Sequence, residues 1–293
     1  MLFDHQFGGR RAWGGPRYKA MRHCTPHVLC DIRSEEALKA RAMREGDIIN
    51  GLVKGLAVIE CFDEDHASQS ITDVANRTGL ERATARRCLL TLTSQGYASY
   101  DGKFFRLTPR VLNLGHSYLA ATPLPRLIQP FLEQLSGATG ESASVAVLDG
   151  TEILYIARAS IRRVLSINLA PGARMPAYCT SMGRVLLAAL PAPSARDTLD
   201  RSELHAYTAK TKADLPTLTT ELAVVAAQGF AVIDEELELG LCSIAVPLHN
   251  ARGEIVAALN IGAQSARAST SQMIANFLPL MRKVQSEVRP LLR

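Results

Sequence analysis

The chain has 293 residues with a formal net charge of +5, is 47% hydrophobic and carries few aromatics (5%). That length suggests roughly two domains of ~100–200 residues, and the mild basic excess is compatible with a polyanion partner without proving one. No run of ~18 apolar residues exists, so no membrane span is expected, and six cysteines without C-x-x-C spacing or paired histidines exclude a disulfide framework or zinc site as the organising principle.

Residues 1–42 include the Gly- and Arg-rich run FGGRRAWGGPRY and show neither helical nor strand periodicity. Disorder is expected there, because too little apolar surface offsets the ordering entropy. No continuous apolar stretch of a secretory signal is seen, and Met43 is the expected natural start. From Leu52 a helix is expected, with Leu52, Leu56, Ile59 and Phe62 on one apolar face.

Residues 71–107 carry the strongest signal. A short helix (Thr72 to Thr78, with Thr72 as N-cap) meets a turn at Gly79, where positive φ is available. A longer helix follows, from about Glu81 to Gln95, with Ala85, Cys88, Leu89 and Leu92 turned inward. Arg82, Ala83, Thr84, Arg86 and Arg87 fall mainly off that stripe, and Gly96 suits the helix end. A strand, an Asp101-Gly102 turn and a second strand close the unit, with Phe104 and Leu107 as expected anchors. Helix, tight turn, basic helix and β-wing place side chains in a DNA major groove. Arginine pairs bidentately with guanine and neutralises phosphate. The expected DNA contacts are Thr72, Arg82, Ala83, Thr84, Arg86, Arg87 and the wing residues Lys103 and Arg106. The plain alternative is a solvated basic face.

Residues 109–122 read as a linker helix whose Val111, Leu112, Leu114, Tyr118 and Leu119 are more apolar than a free linker needs. Pro123 and Pro125 break the pattern. The expected units are therefore 49–109, a linker at 110–122, and a second domain over 123–293. That domain begins with a helix from Arg126 to Gly137 bearing Leu127, Phe131 and Leu135. Strands are expected at Ala143–Leu148, Ile153–Ala157, Val164–Leu169, Phe230–Ile233, Ser243–Leu248 and Val256–Ile261. Helices are expected at Gly183–Leu190, Leu218–Gln228 and Ser271–Leu292. The fold class is α+β, with an antiparallel sheet.

The segments GLAVIECF (55–62), TDVANRTGLERATARRCLLTLTSQGY (72–97), MPAYCTSMGRVLLAAL (175–190) and GFAVIDEELELGLCSIAVPLHN (229–250) carry a family pattern. From about Met43 onward the chain resembles the IclR family of bacterial transcriptional regulators. Ile233 departs from the pattern where an acidic or serine residue is common, which moves the expected acid to Asp234. The wording of 155–190, 234–248 and 257–263 is similar to the branch governing β-ketoadipate, protocatechuate and 4-hydroxybenzoate pathways. The resemblance implies a winged helix-turn-helix, a GAF-like effector-binding domain, dimers that pair into tetramers, a cytoplasmic location, and no cofactor. It also implies effector contacts at Ser181, Met182, Ser243, Asn260 and Gly262.

A carboxylate effector needs donors. Thr180, Ser181, Met182 and Gly183 precede or open a helix whose N–H groups suit an anion, although the same residues suit a simple N-cap. Asp234, Glu236 and Cys242 join Ser243, Asn260 and Gly262 as the expected opposite wall. Tyr178 is a candidate ring-stacking partner or an ordinary core aromatic. Arg163 and Arg174 are candidate charges or surface residues. Two other readings stand beside this one. Cys179 near a helix start could be an activated thiol of an enzyme, though no base is placed by spacing. A DNA-binding architectural protein without a ligand would leave the large second domain unexplained. Within the family, a short-chain acid effector is the alternative to an aromatic one.

Overall fold

The computed structural model describes residues 48–63, 65–160 and 170–292, which form two compact units divided between Gly115 and His116. The expectations for residues 1–42, for the strand Val164–Leu169 and for Arg163 lie outside the described residues, as do Cys24 and Cys30.

In the first unit α1 (Asn50–Glu60), α2 (Ile71–Thr78) and α3 (Arg82–Ser94) precede a two-stranded antiparallel wing, β1 (Ala98–Tyr100) and β2 (Phe105–Leu107). Their shared core is Val58, Cys61, Val74, Ala75, Ala85, Leu89 and Phe105. Three expectations are corrected here. Leu52 is 60% exposed and Leu56 44%, so the inward residue of α1 is Val58. Ser70, not Thr72, caps α2: its hydroxyl accepts from the Asp73 N–H while the Asp73 carboxylate accepts from the Ser70 N–H, a reciprocal capping box. The wing is anchored by Phe105, fully buried and stacked on Tyr100 at 4.3 Å, rather than by Phe104 and Leu107. Gly79 has φ of +70° and Gly96 of +76°, the left-handed turns that let α3 enter and leave sharply.

After a 3-10 turn (Pro109–Val111), α4 (Leu112–Ala121) leads toward α5 (Leu124–Thr139). The buried stripe of α5 is Leu124, Ile128, Leu132 and Leu135, with Leu127 and Phe131 packed at its margin. The expected stripe of Leu127, Phe131 and Leu135 thus shares only Leu135 with the innermost face.

The second unit is built on a six-stranded antiparallel sheet of order β5-β4-β3-β8-β7-β6. Its strands are β3 (Ser142–Asp149), β4 (Glu152–Ala159), β5 (Arg174–Pro176), β6 (Ala231–Asp234), β7 (Leu241–His249) and β8 (Ile255–Gln264). The alternation along β7 and β8 divides the side chains between two cores. Ile244, Val246, Leu248, Leu259 and Ile261 face α5 and the C-terminal helix α10 (Leu278–Val288). Ala245 and Ala258 face α6 (Ser181–Ala188), α7 (Ala192–Asp200) and α8 (Leu215–Gln228). Neither β5 nor α7 is announced by the sequence, β5 because it has three residues and α7 because Pro191 and Pro193 read as a stop. The expected last helix is interrupted: a short α9 (Thr270–Gln272) runs through a π-turn (Met273–Phe277) before α10. No helix among the described residues is long and apolar enough to cross a membrane.

Candidate functional site

The first site is the solvent face of α3. Ala85 and Leu89 are fully buried, which fixes the rotation of the helix and leaves Arg82, Ala83, Arg86 and Arg87 exposed, with Thr84 at the margin. Residues four apart share a helix face, so Arg82 lines up with Arg86 and Ala83 with Arg87. Among the described residues these three arginines face no carboxylate, whereas Arg77 of α2 is tied to Asp63 at 2.6 Å. Glu81 gives α3 no side-chain cap, so the first N–H groups of α3 remain open to an anion. On the wing, Asp101 Oδ1 accepts from the N–H groups of Lys103 (2.9 Å) and Phe104 (2.7 Å), fixing the turn that presents exposed Lys103. Arg106 is exposed on β2 and Thr72 on α2. An exposed basic face of this kind suits a phosphate backbone and guanine edges.

The second site lies on the α6 side of the sheet. Strand register aligns three rows there. Ser142, Gly262 and Ser243 form one, Ser144, Asn260 and Ala245 the next, and Ala146 and Ala258 the third. The first residue of α6 meets this floor directly, since Ser243 Oγ donates to Ser181 Oγ at 2.9 Å. A Cβ built on Gly262 would meet no atom of the described residues within 4 Å, so among them the floor beside that serine pair is open. Asn260 is only 9% exposed, and its Oδ1 has no hydrogen-bond partner among the described residues. Ser181, Met182, Ser243, Asn260 and Gly262 are therefore gathered under the start of α6.

Two further residues of this floor escaped the sequence reading. A bulge in β4 puts both Ile156 and Ala157 in the opposite core, which returns Tyr155 and Arg158 to the α6 side. Arg158 Nη1 donates to Ser144 Oγ at 3.2 Å, and burial lowers its pKa from the usual arginine value. Burial also pushes the Tyr155 phenol up to about 12.

The remaining expected residues have other roles. Thr180 caps α6: its hydroxyl accepts from the Gly183 N–H at 3.2 Å and donates to the Pro176 carbonyl at 3.0 Å. Gly183 is there for packing, because a Cβ would stand 2.1 Å from the Ala177 carbonyl oxygen. Tyr178 is buried, and its hydroxyl both donates to the His205 carbonyl (2.7 Å) and accepts from the His205 N–H (2.8 Å), tethering that loop. Arg174 is exposed on β5 and held by Glu152 (2.8 Å) and Asp149 (2.5 Å). Asp234 is exposed on the edge strand. It is bound by Lys210 at 2.9 Å and lies opposite Cys242, which belongs to the other core. Glu236 is committed to Arg184, a residue the sequence reading passed over. Arg184 is 1% exposed, and its guanidinium forks onto Glu236 at 2.9 and 2.6 Å while Nε donates to the Tyr178 carbonyl at 2.9 Å. Lys212 N–H adds a further bond to Glu236 Oε2 at 3.0 Å. Arg174, Asp234 and Glu236 thus stand outside the open floor.

Cys179 is fully buried, and desolvation pushes its thiol up to about 12. At neutral pH it is a protonated core side chain, the opposite of an activated nucleophile. Among the described residues no cluster of His, Cys, Asp and Glu could hold a metal ion.

Comparison with known proteins agrees with this division of the chain. Residues 51–102 match the IclR helix-turn-helix domain and residues 116–289 the bacterial transcriptional regulator IclR C-terminal domain. The chain is 46% identical over 236 residues to the Pca regulon regulatory protein of Pseudomonas putida, covering 80% of this chain and 81% of that protein. It is 38% identical over 271 residues to the p-hydroxybenzoate hydroxylase transcriptional activator of Acinetobacter baylyi, covering 91% and 96%. Among solved structures it is similar to the inducer-binding domain of the transcription factor PobR from Acinetobacter, a double mutant in complex with 3-hydroxybenzoic acid. That match has 34% identity and a TM-score of 0.55, covering 57% of this chain and 98% of that one. A helix-turn-helix with an open basic face, a second domain with an open polar floor, and these matches across both units identify a regulator rather than an enzyme: the chain belongs to the IclR family of bacterial transcriptional regulators.

Proposed function

We propose that this protein controls genes of aromatic-acid breakdown, acting in the cytoplasm on operator DNA under the control of a small aromatic carboxylate. The observation that carries the effector half is the space over Gly262 that no described residue fills, bordered by the Ser181–Ser243 pair and by Asn260 in the next row, with the apolar Ala245 and Ala258 in the rows beyond. A pocket with an apolar floor and a few convergent polar groups is the expected form of a small-molecule site. The relatives named above, one an activator named for p-hydroxybenzoate hydroxylase and one holding 3-hydroxybenzoic acid, support the aromatic class over a short-chain acid. Ser181, Met182, Ser243, Asn260 and Gly262 are the proposed effector contacts. The proposed DNA contacts are Arg82, Ala83, Thr84, Arg86, Arg87, Lys103 and Arg106, with Thr72 on the neighbouring helix.

Control works by linkage: the acid shifts operator affinity only as far as its own affinity differs between two arrangements of the protein. Self-association as a dimer or dimer of dimers is part of the proposal. Leu52, Leu56, Leu112 (74% exposed) and Leu114 support it, since apolar side chains in this number on short helices favour burial against another chain.

Filling the floor tests the site. Gly262→Leu puts a side chain into the open space and is expected to weaken 4-hydroxybenzoate binding by about tenfold or more, the scale of misplaced methylenes in a pocket. Calorimetric titration of the folded variant checks it. An unchanged affinity would remove Gly262 from the site.

A further inference from the structure

A carboxylate taken from water onto a buried surface needs a cation or several donors, because an unpaired buried charge is strongly disfavoured. Of the residues expected around the effector, Glu236 and Asp234 are themselves anions and lie outside the open floor. Arg184 and Arg174 are already bound to carboxylates. Thr180 has its hydroxyl committed to the helix cap and the Pro176 carbonyl. Arg158 differs from all of these. It is partly buried on the α6 side of β4, it touches Ser144 Oγ through one nitrogen, and it faces no carboxylate among the described residues. A guanidinium has five N–H donors in a planar fork, suited to bidentate pairing with a carboxylate.

The next strand supplies a second, independent sign. Ser144 pairs with Arg158 on one side and with Asn260 on the other, so the three lie in one row across β4, β3 and β8. Asn260 is nine-tenths buried, and its Oδ1 has no partner among the described residues. Buried polar groups in folded proteins nearly always find partners. Among the described residues, Arg158 has donors to spare and Asn260 an unpartnered acceptor in the same row, and beside the open space over Gly262 they define a seat with one end for an anion and one end for a hydrogen-bond donor.

We propose that Arg158 recognises the effector's carboxylate and Asn260 accepts a hydrogen bond from a hydroxyl of the same molecule, so that the ligand class is a hydroxylated carboxylic acid. This assignment rests on the effector reading above and deepens it. It places the charge on the sheet floor instead of at the N-terminus of α6, and it makes Arg158 and Asn260 the residues that set specificity.

The test is a set of calorimetric titrations on the full chain. Wild type, Arg158→Gln, Arg158→Lys and Asn260→Ala are each titrated with 4-hydroxybenzoate, 4-hydroxybenzamide and benzoate. Lactate and lactamide serve as short-chain counterparts. Arg158→Gln is expected to weaken acid binding about 10–100-fold, the range for hydrogen bonds to a charged group, while the neutral amide changes less than threefold. Arg158→Lys keeps a cation without the fork and is expected to retain part of the preference for acid over amide. Asn260→Ala is expected to weaken 4-hydroxybenzoate about five- to tenfold and benzoate little. A cooperative thermal melt shows that each variant is folded. Equal losses for acid and amide in Arg158→Gln, or no loss, overturn the assignment of Arg158 while leaving the aromatic-acid reading standing. Wild-type binding of lactate but not of hydroxybenzoate, with the same dependence on Arg158, overturns the aromatic reading and keeps the assignment. Binding of none of the acids overturns both.

Discussion

Arg184→Ala is expected to destabilise the effector-binding unit by about 3–5 kcal/mol, the usual cost of removing one partner from a buried ion pair. The deletion does not merely lose two hydrogen bonds. It strands Glu236, which is 5% exposed and whose carboxylate would keep, among the described residues, the Lys212 backbone N–H. It also frees the Tyr178 carbonyl that Arg184 Nε now holds. These contacts join α6 to the segment after β6 and to the turn before α6. Loosening them would therefore displace Ser181 and Met182 as well. Replacing both partners, as Arg184→Met with Glu236→Leu, should recover much of the loss, because apolar side chains of similar volume need no partner. Urea unfolding of the full chain, followed through the transition of the second unit, checks both variants. A loss below about 1 kcal/mol for Arg184→Ala, within the range of a surface pair, would show that the buried pair does not hold this corner of the domain.

The triple substitution of Arg82, Arg86 and Arg87 by alanine is expected to lower operator affinity by at least about a thousandfold. Each bidentate contact to a base contributes roughly 1–3 kcal/mol, and each lost phosphate contact also lowers the slope of log affinity against log salt by about one. The side chains are exposed and lie off the Ala85–Leu89 face, so the helix-turn-helix core should keep its stability. Fluorescence anisotropy on the operator across a salt series separates the two kinds of contact. A residue whose removal changes the salt slope and not the preference for the operator over random DNA contacts phosphate. Unchanged affinity in the triple variant would contradict the assignment of α3 as the reading helix.

The basic helix was legible because its determinants are local. Gly79 and Gly96 bound it, and Ala85 and Leu89 at helical spacing turn its arginines outward. The Ser70–Asp73 capping box was equally local, but a threonine two residues later competed with it for the cap. The wing presented two adjacent phenylalanines, and only the register of a three-residue strand decides which of them is buried. On α1, apolar Leu52 and Leu56 match a buried stripe in the sequence, yet Val58 is the residue facing the core.

The effector floor was half legible. Asn260 and Gly262 alternate with Leu259 and Ile261 along β8, so strand parity already puts them on a common face. Arg158 was hidden because the β4 bulge resets that parity, and no periodicity announces a bulge. The Arg184–Glu236 pair spans 52 positions, and nothing in the sequence near either residue names the other. Asp234 and Glu236 were expected beside the ligand from the family pattern of residues 229–250, which carries no information on where their side chains go. Chain direction around β6 and β7 puts one on an exposed edge and the other in a buried ion pair.

The central claim is that an acid bound on this sheet changes how the protein holds DNA. The most direct measurement is a titration of the promoter DNA flanking its own gene, at fixed salt, with and without 4-hydroxybenzoate, protocatechuate and β-ketoadipate. At least one aromatic acid is expected to shift the affinity or the footprint. Tight binding that is the same with and without every acid would contradict it.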